Sequence, residues 1–145
     1  TRNNENTIAI LKKKKKKKRI IDLELKKNDS DPYKGILHLD CTFNPIGKDK
    51  CIIYKDGFVD ESDYSLLIDI FGEENCFHVT QQEMFEMNPN IFSISPEIVV
   101  SDSSFTRLNN HLRNEWGMTV EEIPYREISK MGGLLRCSTL PLVRE

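Results

Sequence analysis

The sequence predicts an α/β fold assembled from small repeated units around an axis, with this chain forming only part of the ring. Three observations lead there. Amphipathic helix patterns alternate with short runs of β-branched and aromatic residues. Similar groupings of helix and strands begin near residues 5, 61 and 104, at steps of about 56 and 43 residues, a period typical of propellers and arrays. Each grouping is too small to bury its own sheet face, so neighbouring copies must pack on one another. Roughly two and a half to three such units fit in the chain, too few to close a propeller.

The elements follow in order. Asn6 to about Lys17 reads as a helix, with Ile8 and Leu11 among strong helix formers. Ile20, Asp22 and Glu24 alternate with Ile21, Leu23 and Leu25 as in a strand, and Lys26–Lys34 is a polar turn region. Gly35 opens a strand to Phe43 that places Ile36, His38 and Asp40 on one face and Leu37, Leu39 and Cys41, better suited to a core, on the other. Asn44–Gly47 turns the chain into a strand at Cys51–Tyr54. Asp60 caps a helix whose buried stripe is Leu66, Leu67, Ile70 and Phe71 and whose end is marked by Gly72.

Cys76–Val79 is a short strand, and Thr80 with Glu83 forms a capping box for a short helix carrying Met84 and Met87. Ile91–Ile94 and Ile98–Val100 are strands joined through Pro96. Ser103 or Ser104 caps a helix with Phe105, Leu108, Leu112 and Trp116 on one side, closed by Gly117. Thr119–Ile123 is a strand, Glu127–Met131 a helical turn, and Leu134–Thr139 a last strand stopped by Pro141.

Composition narrows the function classes. With 38% hydrophobic and 30% charged residues the chain can build a core, which excludes collagen-like and wholly disordered readings. No uncharged apolar stretch is long enough to span a bilayer, so no membrane partner is expected. Lys12–Lys18 and Arg19 concentrate eight of the 21 basic residues, leaving the other 137 positions with a net charge of −10. That body repels a phosphate backbone, so the lysine run reads as a solvated face and no nucleic acid is expected. Cys41, Cys51, Cys76 and Cys137 are too few and too widely spaced for a disulfide framework, and the expected setting is reducing and cytoplasmic.

Two places carry chemistry. His38 and Asp40, two residues apart, offer a general acid/base beside a carboxylate. Cys137 follows the glycine pair Gly132–Gly133 and precedes a Ser/Thr/Pro corner, a placement that suits a reactive thiol at a rim. Its element in the third unit matches the His38 element in the first, so equivalent placement around an axis would bring the two together. His78 reads as structural and His111 as a surface residue. His38 and Cys41 fall on opposite faces, no second ligand pair follows, and no metal or organic cofactor is expected.

Residues 36–46, Ile-Leu-His-Leu-Asp-Cys-Thr-Phe-Asn-Pro-Ile, resemble the histidine block of the guanidine-modifying superfamily. This group comprises arginine deiminases, dimethylarginine dimethylaminohydrolases, agmatine deiminases and glycine amidinotransferases. Residues 132–143, Gly-Gly-Leu-Leu-Arg-Cys-Ser-Thr-Leu-Pro-Leu-Val, resemble its terminal cysteine block. The resemblance implies a partial five-bladed α/β propeller, the pentein fold, with residues 1–145 as the C-terminal part of one domain whose N-terminal half lies outside this chain.

It further implies Cys137 as nucleophile, His38 as general acid/base and Asp40 as a guanidinium ligand, with Arg2 near a substrate carboxylate. The implied substrate is a small cationic guanidine such as arginine, methylarginine or agmatine. Hydrolysis through a thiouronium intermediate is the favoured reaction, with transfer of the amidino group to an amine as the alternative. A non-catalytic propeller that binds a protein or ribosomal partner is the competing class. The partners implied are the missing half of the domain and, as an open choice, a second copy in a homo-oligomer. The 145-residue piece alone is expected to be inactive because it lacks the other guanidinium-binding acids.

Overall fold

The structure, a computed structural model, describes residues 20–140. The helix expected over Asn6–Lys17 and the substrate-binding role expected of Arg2 lie outside the described residues. Within them, two three-stranded sheets repeat one plan. In the first, β1 (Phe43–Ile46) and β2 (Lys50–Ile53) form an antiparallel hairpin, helix α1 (Glu61–Phe71) crosses over, and β3 (Cys76–His78) pairs parallel to β2. A short helix α2 (Gln81–Phe85) leads to the second. There β4 (Phe92–Ser93) and β5 (Ile98–Asp102) are antiparallel, α3 (Thr106–Asn114) crosses over, and β6 (Thr119–Ile123) runs parallel to β5. Two helical turns follow, α4 (Arg126–Ser129) and α5 (Leu135–Ser138).

The repeating unit is therefore strand–strand–helix–strand, with its helix third rather than first. The two units are offset by about the spacing read from the sequence, since their crossover helices begin at residues 61 and 106. Alternation on β2 shows how the units pack. Ile52 points into the main core with Ile91, Val99, Leu108 and Leu112, while Cys51 and Ile53 point the other way to Leu67 and Cys76. Both faces of β2 are thus buried, and Cys51, Ile52 and Ile53 are wholly inaccessible. Leu112 lies at the centre of the main core with no exposure. Leu112→Ala is expected to cost about 2–5 kcal/mol in denaturant unfolding, because the site is too tightly packed to collapse.

Local signals read well where a cap or turn residue forces the backbone. The Asp60 side chain accepts the Ser62 N–H at 2.8 Å, and the Thr80–Glu83 capping box is formed from both sides. Gly117 takes a positive φ of 62° and ends α3. The α3 cap differs from expectation. Neither the Ser103 nor the Ser104 side chain accepts from the helix; Asp102 instead accepts from Ser104 through backbone N–H and hydroxyl, at 2.8 and 2.6 Å, and shapes the entry.

Other expectations are corrected as well. Ile20–Leu25 is not a strand; only Leu25 makes a bridge, to Phe58. Residues 35–42 are not a strand either. Lys27 Nζ reaches the carbonyls of Ile36 and Leu37 at 2.6 and 2.7 Å, and Cys41 and Thr42 N–H groups bond back to His38 and Leu39 in a tight 3₁₀ turn. Local bonds have replaced a ladder, and Leu37 and Leu39 are exposed while Ile36 is buried. Asn44–Ile46 belongs to β1, and the chain turns after it, at Gly47–Asp49.

The buried side of α1 is rotated from the expected stripe. Leu67 with Tyr64, Ile68 and Phe71 packs inward, and Ile70 is exposed. The i, i+3, i+4, i+7 spacing of the true set follows helix geometry, which the contiguous apolar run had obscured. The final element is α5, a helical turn rather than a strand. Gly132 and Gly133 both have positive φ, the Ser138 N–H bonds back to the Leu134 carbonyl, and the hydroxyls of Ser138 and Thr139 bond to carbonyls four residues earlier.

Candidate active site

The site forms where three loops meet. Each precedes the first strand of a unit or stands where such a loop would stand: His38–Cys41 before β1, Asn88–Ile91 before β4, and Gly133–Ser138 at the end of the described chain. The equivalence anticipated between the His38 and Cys137 elements thus resides in helical turns and loops, not in strands.

The three chemistry-bearing side chains converge. Cys137 Sγ lies 3.9 Å from His38 Nδ1 and 3.8 and 3.7 Å from the two carboxylate oxygens of Asp40. His38 is extended and Asp40 sits inside the 3₁₀ turn, so they share a direction by way of the turn rather than by alternation. An acid/base, a carboxylate and a sulfur in mutual reach make a nucleophilic constellation. These three residues are also the one grouping of possible metal ligands among the described residues, their ligand atoms all within 4.8 Å of one another.

Gly133 shapes the turn that holds the sulfur. Its φ is 92°, and a Cβ placed there would stand 2.7 Å from Cys137 Cβ and 3.1 Å from Sγ. Glycine is therefore needed twice, for its backbone conformation and for the space beside the thiol.

Only Cys137 is exposed among the four cysteines, and none is oxidised. Cys41 is buried, and desolvation pushes its thiol up to about 12. Burial also raises Cys51, whose Sγ lies 3.4 Å from that of Cys76 across paired strands, and Cys76 itself. Thiolate is the reactive form, so these three stay inert at neutral pH. With native protein at pH 7–8 in limiting iodoacetamide, Cys137 is expected to carry essentially all the label, by peptide mass mapping. Labelling spread evenly over all four would contradict this.

The other histidines take no part. His78 Nε2 lies 3.0 Å from Glu73 and its ring packs near Tyr64, in keeping with a structural role. His111 is not a plain surface residue. It stands between Phe77 and Trp116, with ring centroids 4.8 and 4.6 Å away, and desolvation lowers its pKa.

One residue of the site escaped the sequence reading. Asn90 has no solvent exposure, and its carboxamide joins the Asp40 loop to the Cys137 turn. The only signal was the polar Asn88-Pro89-Asn90 step ahead of an apolar strand, which local pattern treats as a surface turn.

Comparison with known proteins sets this geometry in a family. The eukaryotic N,N dimethylarginine dimethylhydrolase family matches residues 2–144. The uncharacterized protein YkgA of Bacillus subtilis (strain 168) is 30% identical over 113 residues, covering 77% of this chain and 37% of YkgA. The product-bound N-terminal domain of ArgZ is described as an arginine dihydrolase from the ornithine–ammonia cycle in cyanobacteria. It superposes with a TM-score of 0.80 at 20% identity, over 97% of this chain and 48% of that one. SxtG, an amidinotransferase from Microseira wollei in a saxitoxin biosynthetic pathway, gives a TM-score of 0.71 at 16% identity, over 98% of this chain and 40% of its own.

The chain spans less than half the length of each of these relatives. At such identities the two solved structures speak to the α/β fold alone. The family match runs almost from end to end and takes in both loops that bring His38, Asp40 and Cys137 together. The chain belongs to the eukaryotic N,N dimethylarginine dimethylhydrolase family, within the pentein guanidine-modifying superfamily.

Proposed function

We propose that the protein hydrolyses a guanidine, of the arginine, methylarginine or agmatine type, through a covalent intermediate on Cys137. The observation that carries this reading is the approach of Cys137 Sγ to both His38 and Asp40, at 3.9 and 3.7 Å. A carboxylate this near a thiolate is a repulsive pair in the empty site. A planar cation that contacts both groups makes each contact attractive and brings its carbon to the sulfur.

The thiolate's electron pair forms the C–S bond to the guanidinium carbon, and the C=N π pair moves onto nitrogen. His38 gives a proton to the departing amine or ammonia as the C–N bond breaks, leaving an S-alkylthiouronium. Water then adds to the same carbon while His38 takes its proton. Cleavage of the C–S bond returns the thiolate and releases a ureido product. If an amine replaces water at the second step, the product is a new guanidine and the enzyme is an amidinotransferase. Hydrolysis is favoured because water requires no second acceptor pocket.

Family membership and the twice-repeated strand–strand–helix–strand unit support a partial five-bladed propeller, with further carboxylates for the guanidinium supplied by the rest of the domain. A purely binding module would have no use for a thiol, an imidazole and a carboxylate in reach of one another. Among the described residues no helix is long and apolar enough to cross a membrane.

The test is turnover by the full-length protein. Arginine, methylated arginines and agmatine are supplied in turn, and ureido product, ammonia and amine are measured. Denatured protein from a quenched reaction should carry on Cys137 the mass of the substrate less the departed ammonia or amine. Absence of both turnover and adduct with every guanidine would overturn the reading. Asp40→Asn is expected to lower kcat/KM by at least about 100-fold, since a charge-assisted bond to the cation is lost in a partly enclosed site. Its melting temperature should hardly move, because Asp40 is only half-buried and no core packing depends on it.

A further inference from the structure

Asn90 has no part in the chemistry above, yet every polar atom of its side chain is directed at that chemistry. Oδ1 accepts from the backbone N–H groups of Leu134 and Cys137, at 3.0 and 3.2 Å. Its backbone carbonyl accepts from Arg136 N–H at 3.1 Å. Nδ2 lies 3.2 Å from Cys137 Sγ and 3.3 Å from the Asp40 carbonyl. The orientation of the amide follows from chemistry. Backbone N–H groups can only donate, so the oxygen must face Leu134 and Cys137 and the NH₂ group must face the sulfur. Asn90 is itself clamped from both sides, because Asn44 Nδ2 donates to the carbonyls of Pro89 and Ile91 at 2.6 and 3.0 Å.

We propose that Asn90 is the positioning residue of the site: it docks the Cys137 turn onto the Asp40 loop and presents to the sulfur an N–H donor that favours thiolate over thiol. This rests on the reading of Cys137 as nucleophile. Holding the turn in place requires only the amide oxygen and the backbone carbonyl. The second half of the carboxamide is shared between the Asp40 carbonyl and the sulfur. A thiol is a weak acceptor and a thiolate a full charge, so the same N–H strengthens its bond when the proton leaves. The Asp40 carboxylate, 3.7 Å from Sγ, acts in the opposite direction. In the absence of substrate, Asn90 is the counterweight.

The experiment is the pH profile of Cys137 alkylation by iodoacetamide in the full-length protein, followed by peptide mass mapping. Asn90→Asp keeps the accepting oxygen but turns a second oxygen toward the sulfur, and Asn90→Ala removes the donor. The midpoint is expected to rise by about one pH unit or more in Asn90→Asp and to rise in Asn90→Ala as well. An unchanged midpoint in variants that melt as folded proteins would overturn the proposal. Where neither variant folds, nitrogen-15 asparagine labelling of the wild type decides. The Asn90 carboxamide resonance should shift at the alkylation midpoint and stop shifting in Cys137→Ser; a resonance indifferent to pH overturns the proposal. Alkylation requires no guanidine. A raised midpoint in a protein whose wild type processes no guanidine keeps Asn90 and sinks the proposed function, and an unchanged midpoint beside normal wild-type turnover does the reverse.

Discussion

Cys137→Ser is expected to fold like the wild type and to turn over guanidines at least about four orders of magnitude more slowly. Its hydroxyl occupies nearly the same volume at an exposed position, so no core packing is lost. The chemistry is lost because a hydroxyl near neutral pH holds its proton, and His38 at 3.9 Å from the sulfur position is a loose base for removing it. A serine in this turn also leaves Asn90 without an anion to support. The measurement is ureido product under saturating substrate together with a thermal melt. Turnover within tenfold of wild type would remove Cys137 from the mechanism and require a different nucleophile.

Gly133→Ala is expected to lower turnover by about 100-fold while costing roughly 1–3 kcal/mol of stability. Two separate penalties are involved. At φ 92° any side chain is strained, and the new methyl would lie 2.7 Å from Cys137 Cβ. The turn must move, and the sulfur moves with it away from His38 and Asp40. Gly132→Ala is the internal control. Its φ is 86°, but the nearest atom to an added Cβ is a Leu37 methyl at 3.6 Å. Gly132→Ala should therefore show the backbone penalty alone, and only Gly133→Ala should lose activity beyond what its stability loss explains. Equal activities in the two would show that the space beside Cys137 is immaterial.

Much of the architecture was legible in the chain because it rests on residues that act locally. Asp60 and Gly72 bound α1, Thr80 with Glu83 starts α2, Gly117 ends α3, and the alternating runs at residues 51–53 and 119–123 are strands. The pairing of His38 with Cys137 was legible too, from two short blocks and the idea of equivalent units. It survives although neither residue lies in a strand. The place where local pattern misled is the segment around His38. Apolar and polar residues alternate there, and the sequence has no means of showing that Lys27, nine residues before Ile36, draws two carbonyls out of any ladder.

Composition and spacing by themselves determined an α/β chain of repeated small units, its caps and turns, and three residues fit for acid/base and thiol chemistry, while guanidine entered only with the resemblance of two short blocks. Only the tertiary structure decided how those residues meet. Three loops from different parts of the chain must close on one another before Cys137 has neighbours, and the side chain that joins them, Asn90, has its partners 44 to 50 residues away. An asparagine in a turn satisfies its hydrogen bonds with water unless burial removes that option. Burial at Asn90 is a property of the packed units on either side of it. That is why its carboxamide became part of the site and why no local pattern announced it.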